Sequence, residues 1–284
     1  MKAIYEVAAP AKLNLFLHVV GHRDDGYHLL QSVFVLIDWC DTLHFERRGD
    51  TALVRHDLGD ALPADDLCLR VARALQTASG STFGADISIE KRLPSGAGLG
   101  GGSSDAATTL LSLNRLWNLH WPRSRLARLA LPLGADVPFF IGGRNAWVEG
   151  IGDRLTPIDV APQSFAVLKP AASLDTRAVF AHPDLVRHTA AAILTGSFAD
   201  AAFGRNDLQP IAEKLQPAVA AAARWLEERF GNSRMTGSGS AVFARVGAGG
   251  EPVATLPAGG LPPGWALRLC RSLKDHPLHG WADD

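Results

Sequence analysis

Pro94-Ser95-Gly96-Ala97-Gly98-Leu99-Gly100-Gly101-Gly102-Ser103-Ser104 carries five glycines in eleven residues. Glycine inside a helix or strand costs roughly 0.5–1 kcal/mol, so a cluster this dense belongs where backbone must approach something closely. Upstream, Ala85-Asp86-Ile87-Ser88-Ile89-Glu90-Lys91 alternates apolar and polar residues, as a half-buried strand does. Downstream, Ala106, Ala107, Leu110, Leu111, Leu113 and Trp117 recur at helical spacing. Ser103 or Ser104 is the expected N-cap of that helix, with Asp105 in its first turn. In the order strand, glycine loop, helix, the loop N–H groups and a helix N-terminus converge on one point, which makes a site for phosphate.

Two familiar phosphate loops share this order and fit poorly. A Walker A loop requires Gly-x-x-x-x-Gly-Lys-Ser/Thr, and no lysine follows these glycines. A dinucleotide fingerprint through Gly96, Gly98 and Gly101 requires an acidic residue about 20 positions on. Residues 106–135 contain no acid, but they do contain Arg115, Arg123, Arg125 and Arg128.

The whole chain sets further bounds. Its 284 residues, 47% hydrophobic and 20% charged, are enough for one large or two modest domains. A net charge of −1 gives no electrostatic case for binding nucleic acid or an anionic membrane. Cys40, Cys68 and Cys270 are odd in number and far apart, which predicts free thiols in a reducing compartment. No signal peptide and no apolar run of spanning length are legible, so a cytoplasmic protein is expected.

The pattern predicts strands at 3–9, 11–20, 28–38, 41–48 and 51–56, a helix near 65–79, and a short helix from Arg123 to Leu131. Strands follow at 145–149 and 154–158, then a linker around 156–163 that divides the chain into domains of 1–158 and 159–284. The second half starts with a strand at 165–169. It continues with a helical region from Asp207 to Phe230 that Pro217 splits and Gly231 ends, and with strands at 241–246 and 265–273. Residues 247–264 are rich in Gly and Pro and receive no element.

Between Lys12 and Val19 a period of two sets Leu13, Leu15, Leu17 and Val19 on one face and Lys12, Asn14, Phe16 and His18 on the other. The turn-rich loop Gly21-His22-Arg23-Asp24-Asp25-Gly26-Tyr27-His28 should return the chain over the polar face. His276 and His279, in the tail His276-Pro277-Leu278-His279-Gly280, read as solvated and not as metal ligands.

Pro-x-x-x-Gly-Leu-Gly-Gly-Gly-Ser-Ser resembles the phosphate loop of the GHMP kinases, a superfamily named for galactokinase, homoserine kinase, mevalonate kinase and phosphomevalonate kinase. Further matches narrow the resemblance to the branch acting on a cytidylated methylerythritol in the non-mevalonate isoprenoid route. They are Pro10-Ala-Lys-Leu-Asn-Leu-Phe-Leu, Arg23-x-Asp-Gly-Tyr-His, Leu133-Gly-Ala-Asp-Val-Pro-Phe-Phe, Gly204-Arg-Asn-Asp-Leu and Met235-Thr-Gly-Ser-Gly-Ser. The resemblance implies a mixed α+β, two-domain fold: an N-terminal ribosomal protein S5 domain 2-like nucleotide-binding domain and a C-terminal ferredoxin-like domain.

It also implies ATP as phosphoryl donor over residues 94–104, with Mg²⁺ accompanying it, and the 2-hydroxyl of the cytidylated alcohol as acceptor. Lys12 and Asp136 become the catalytic pair: Asp136 takes the hydroxyl proton, and Lys12 keeps Asp136 ionised and offsets developing charge. Pro138 is expected to bias Val137 toward extended geometry. Tyr27 and Phe180 would stack on the cytosine and His28 would bond its edge. Asn14 and Lys91 would lie near the acceptor's polar groups, and Thr176 belongs to the same set. The cluster Thr236-Gly237-Ser238-Gly239-Ser240 is either the superfamily's third motif, closing the site, or a tight β-turn. Asp66 stands where the superfamily often has Asn, which leaves adenosine contacts there open. A small-molecule partner and a monomer or weak homodimer are expected. The alternatives are another GHMP-type kinase, such as a homoserine kinase, or a non-catalytic nucleotide-binding regulator.

Overall fold

β1 (Ala3–His22) and β2 (His28–Arg48) form one long antiparallel hairpin, so the four short strands expected over residues 3–48 are two continuous ones. Register shifts between Ile4 and Val7, Pro10 and Ala11, Asn14 and Leu17, and Val19 and Gly21 bend the pair without ending it. The computed structural model describes residues 1–193, 204–246 and 260–284. Most of the Gly/Pro-rich segment 247–264 therefore lies outside the described residues.

β3 (Leu53–Asp57) is followed by α1 (Leu67–Ser79), β4 (Gly84–Glu90), α2 (Gly101–Leu116), α3 (Arg123–Ala130), α4 (Val137–Gly142), β5 (Ala146–Glu149) and β6 (Arg154–Pro157). The first sheet has the order β3-β4-β2-β5-β6, with β1 on β2, and only β3 and β4 run parallel. The second half supplies β7 (Ser164–Lys169), α5 (Thr176–Ala181), α6 (Gln209–Leu215), α7 (Pro217–Phe230), β8 (Arg234–Met235), β9 (Val242–Arg245) and β10 (Ala266–Arg271). Its antiparallel sheet has the order β10-β7-β9-β8. Pro217 does split the helical region, and Gly231 closes α7 with φ of 68°.

Side-chain alternation builds the layers. Phe34 and Leu36 of β2 pack with Phe45, Ile87, Leu110 and Phe139 under α1–α4, while Val33, Val35 and Ile37 face the other way. There they meet Phe165, Val167 and Phe243 of the second sheet. Ala166 and Leu168, alternate to those, pack under α6 and α7 with Ile211, Ala222 and Leu226. The order is helices, sheet, sheet, helices, and the middle core is common to both halves.

In β1 the expected face breaks at the bulge between Asn14 and Leu17. Leu13, Leu15 and Phe16 join the middle core, and Leu17 and Val19 pass to the outer core of the second sheet. The C-terminal tail also departs from expectation. Leu273 N–H bonds Leu36 O, His276 N–H bonds Gly143 O, and Leu278 is buried in the first core. His276 is 2% exposed, so the tail is docked on the first half and is not solvated. All three cysteines are free thiols.

Candidate active site

Helix α2 opens one turn earlier than expected. Gly100 caps it in the left-handed conformation, φ 73°, so Ser103 and Ser104 lie inside the first turn and Asp105 behind it. The glycine loop is fixed by backbone. Lys12 N–H donates to Leu99 O at 2.9 Å, Ser240 N–H to Gly96 O at 3.2 Å, and Ala241 N–H to Ala97 O at 3.1 Å. A Cβ on Gly98 would lie 2.2 Å from Thr236 O, and one on Gly237 2.9 Å from Gly98 O. The two glycine clusters are thus in backbone-to-backbone contact. A Cβ on Gly100 would meet Phe140 Cζ at 2.9 Å and Lys12 Cγ at 3.1 Å, so the protein itself closes that position.

Lys12 is 4% exposed, and its ammonium lies 3.8 Å from Asp136 Oδ2, 2.5 Å from Asn14 Oδ1 and 4.6 Å from the centre of the Phe34 ring. Burial pushes the lysine pKa below its ordinary value, and the carboxylate of Asp136 opposes that shift. Asp136 precedes α4, and its side chain makes no capping bond. Val137 is the first residue of that helix and not extended, and Pro138 occupies a first-turn position where its missing N–H costs nothing. Asn14 donates from Nδ2 to Ser32 Oγ at 2.9 Å and from its backbone to Thr236 Oγ1 at 3.0 Å.

Two cavities flank this pair. The larger, about 710 Å³, is lined by Lys12, Asn14, Tyr27, His28, Asp136, Thr176 and Phe180. The smaller, about 380 Å³, is lined by residues 94–103 with Leu62, Asp66, Lys91 and Asp105. Gly96, Gly98 and Gly100 line both. In the larger cleft Tyr27 is 59% exposed, and the Phe180 ring lies 5.1 Å from that of His28 at 35°. Thr176 Oγ1 and Ser238 Oγ are 2.6 Å apart, bridging α5 to the second glycine cluster.

The family description "GHMP kinases N terminal domain" matches residues 66–144, and "GHMP kinases C terminal" matches 183–250. The chain is 64% identical to 4-diphosphocytidyl-2-C-methyl-D-erythritol kinase of Methylibium petroleiphilum, covering 99% of each chain. It is 55% identical to the same kinase of Variovorax paradoxus, covering 99% of this chain and 100% of that one. The chain belongs to the 4-diphosphocytidyl-2-C-methyl-D-erythritol kinase family. A crystal structure of a 4-(cytidine 5'-diphospho)-2C-methyl-D-erythritol kinase superposes with a TM-score of 0.73 at 34% identity, over 86% of this chain and 90% of that one. Homoserine kinase from Cytophaga hutchinsonii, at 15% identity and TM-score 0.65, shares the fold.

Lys91, expected near the acceptor, is not among the residues lining the larger cleft. It lines the loop cavity and is paired with the fully buried Asp41 and, at 2.6 Å, with Asp105 Oδ2. Asp41 Oδ1 also accepts Arg92 N–H at 2.6 Å and Leu93 N–H at 2.7 Å, fixing the entry to the glycine loop. Burial, with Asp41 nearby, pushes Asp105 up to about 7, while Lys91 pulls the other way. Asp66 caps α1 by accepting Leu69 N–H at 3.1 Å and pairs with Arg55 at 2.9 Å, so its charge is matched beside the loop cavity.

Sequence reasoning did not reach Asn206, whose Nδ2 donates to Met235 O at 2.7 Å and Gly237 O at 2.8 Å. Nor did it reach Asp207, whose Oδ2 accepts Val19 N–H at 2.8 Å. Together they fasten the second glycine cluster to β1. The only signal was the position of both in a matching segment.

Proposed function

We propose that this chain transfers the γ-phosphoryl group of ATP to the 2-hydroxyl of 4-diphosphocytidyl-2-C-methyl-D-erythritol, giving the 2-phosphate and ADP. The reaction belongs to the non-mevalonate route to isoprenoid precursors, the role carried by its relatives. One observation carries the assignment of the site. Lys12 and Asp136 stand 3.8 Å apart in a cleft that shares Gly96, Gly98 and Gly100 with the loop cavity. Donor phosphates on the loop amides and an acceptor hydroxyl in the cleft would therefore meet beside the pair.

Main-chain N–H groups between Ser95 and Ser103, at the N-terminus of α2, hold the triphosphate; Pro94 has no N–H to offer, and that of Ser104 is bonded to Gly100 O. Asp136, with no capping bond to hold it, accepts the proton of the attacking hydroxyl. Lys12 stabilises that carboxylate and the charge on the transferred group. Its burial strengthens both interactions, because little water screens them. Asn14 orients Lys12, and Tyr27, His28, Thr176 and Phe180 receive the cytidine end. Lys91 is assigned to the ATP side.

Mg²⁺ is proposed to accompany ATP. Asp105 fits such an ion, because its Oδ1 is buried and has no hydrogen-bond partner among the described residues, and the residue lines the loop cavity. The cation would neutralise charge between the β- and γ-phosphates. The halves divide at 158/159, with the tail docked back on the first. Among the described residues no helix is long and apolar enough to cross a membrane.

A coupled assay of ADP release against the cytidylated alcohol, homoserine and mevalonate tests this reading. Turnover with the first alone is expected, and turnover with homoserine instead would overturn it.

A further inference from the structure

Arg187 lies in the irregular segment after α5 and takes no part in the chemistry above. Its guanidinium makes four donations. Nε donates to His28 Nε2 at 3.0 Å, and Nη1 to Leu185 O at 3.1 Å. Nη2 donates to Phe180 O at 3.1 Å and to His182 O at 2.9 Å. A guanidinium has no acceptor and does not lose its proton. His28 Nε2 must therefore be the unprotonated nitrogen, and the single proton of the neutral ring sits on Nδ1. A second proton would have to enter at Nε2, facing a positive charge. Burial, Arg187 and His22 all push the imidazole below its ordinary pKa.

The same guanidinium joins the two halves of the cleft. His28 begins β2 in the first sheet, and Phe180 belongs to α5 in the second half. Arg187 grips the ring of one and the carbonyl of the other, so it sets the relation of the two aromatic walls, whose centres are 5.1 Å apart.

We infer that Arg187 is the positioning residue that sets base specificity: it presents His28 as a fixed Nδ1–H donor and so selects a base whose edge offers an acceptor at N3. Cytosine has a lone pair there, whereas uracil carries an N–H that would meet the donor head-on. The inference rests on the reading of the larger cleft as the cytidine pocket.

The test uses the full-length enzyme, the cytidylated acceptor and its uridylated counterpart. In the wild type, ¹⁵N–¹H spectra should show His28 protonated at Nδ1, and kcat/KM should favour the cytidylated acceptor. Arg187→Met should release the ring toward the Nε2–H form and lower the cytidine-to-uridine ratio of kcat/KM by about tenfold to a hundredfold, mainly through KM. Arg187→Lys retains one donor for Nε2, so it should keep most of the ratio while losing the carbonyl contacts.

A folded Arg187→Met variant with the Nδ1–H form and the ratio unchanged overturns the inference. If that variant does not fold, Arg187→Lys decides: a lost ratio with Nδ1–H retained also overturns it. Wild-type enzyme inert toward the cytidylated alcohol would sink the reading of the cleft itself, and this inference with it.

Discussion

Alanine at Gly98 and at Gly102 should fail in opposite ways. At Gly98, φ is +73°, and an L residue there costs about 1–2 kcal/mol. The added Cβ would also lie 2.2 Å from Thr236 O and 3.1 Å from Gly239 N, both backbone atoms that cannot rotate aside. Relieving that overlap by local shifts costs about 1–3 kcal/mol. Together these predict a loss of about 2–5 kcal/mol, or roughly 3–8 °C in melting temperature for a chain of this size. At Gly102 no atom of the described residues lies within 4 Å of the added Cβ, and the residue is helical. Free enzyme should be unchanged or up to about 1 kcal/mol more stable. The methyl would intrude where the loop amides receive phosphate, so KM for ATP should rise about tenfold to a hundredfold. Melting curves with and without ATP, together with steady-state kinetics, separate the two effects. Gly102→Ala with wild-type KM for ATP would refute the cradle, and Gly98→Ala with wild-type melting would refute the contact between the glycine clusters.

Asp136→Asn should lower kcat by about 10²–10⁴ with KM for ATP nearly unchanged, and near-normal turnover would remove it as the base. Tyr27→Ala should raise KM for the cytidylated acceptor through loss of stacking, and an effect confined to ATP would reverse the assignment of the two cavities. Burial holds His276 down at about 3, so below the ordinary value of about 6.5 the unfolded chain binds a proton the native ring refuses. That contribution is intact above pH 6.5 and is lost as pH falls toward 3, by about 2 kcal/mol at pH 5. His276→Gln should therefore lose less stability than the wild type between pH 7 and pH 5, and equal losses in urea titrations would place the ring in solvent.

Local chemistry made part of this molecule legible from sequence. A glycine cluster between an alternating segment and a 3.6-periodic one can only be strand, loop and helix, and Pro217 and Gly231 punctuate helices wherever they fall. What escaped were features set by partners distant in sequence. No local pattern says that Asp41 and Asp105, 64 positions apart, close on Lys91, and a lone lysine after a strand looks free to meet a ligand. The bulge that sends Leu17 away from Leu15 leaves alternation intact on paper, because both residues are apolar. In the tail the polar histidines mask the apolar signal for docking, which Leu273, Leu278 and Trp281 carry. Arg187 sits in a stretch with no periodicity, and its role exists only where β2 and α5 converge.

The arrangement also accounts for how the proposed catalytic pair, Lys12 and Asp136, is drawn from segments 124 residues apart. Lys12 rides on β1, whose backbone donates hydrogen bonds to both glycine clusters, from Lys12 N–H to Leu99 O and from Asn14 N–H to Thr236 Oγ1. Asp136 precedes α4, and α4 places Phe140 against the space a side chain at Gly100 would fill. Lys12 Cγ borders the same space. One residue without a side chain is therefore the common reference for both members of the pair and for the start of α2. The distance between Asp136 and Lys12, and the distance from both to the loop amides, are set by the same contact. Phosphoryl transfer depends on positioning more than on covalent chemistry, so a single close approach that registers donor, base and counter-charge together is what this reaction requires.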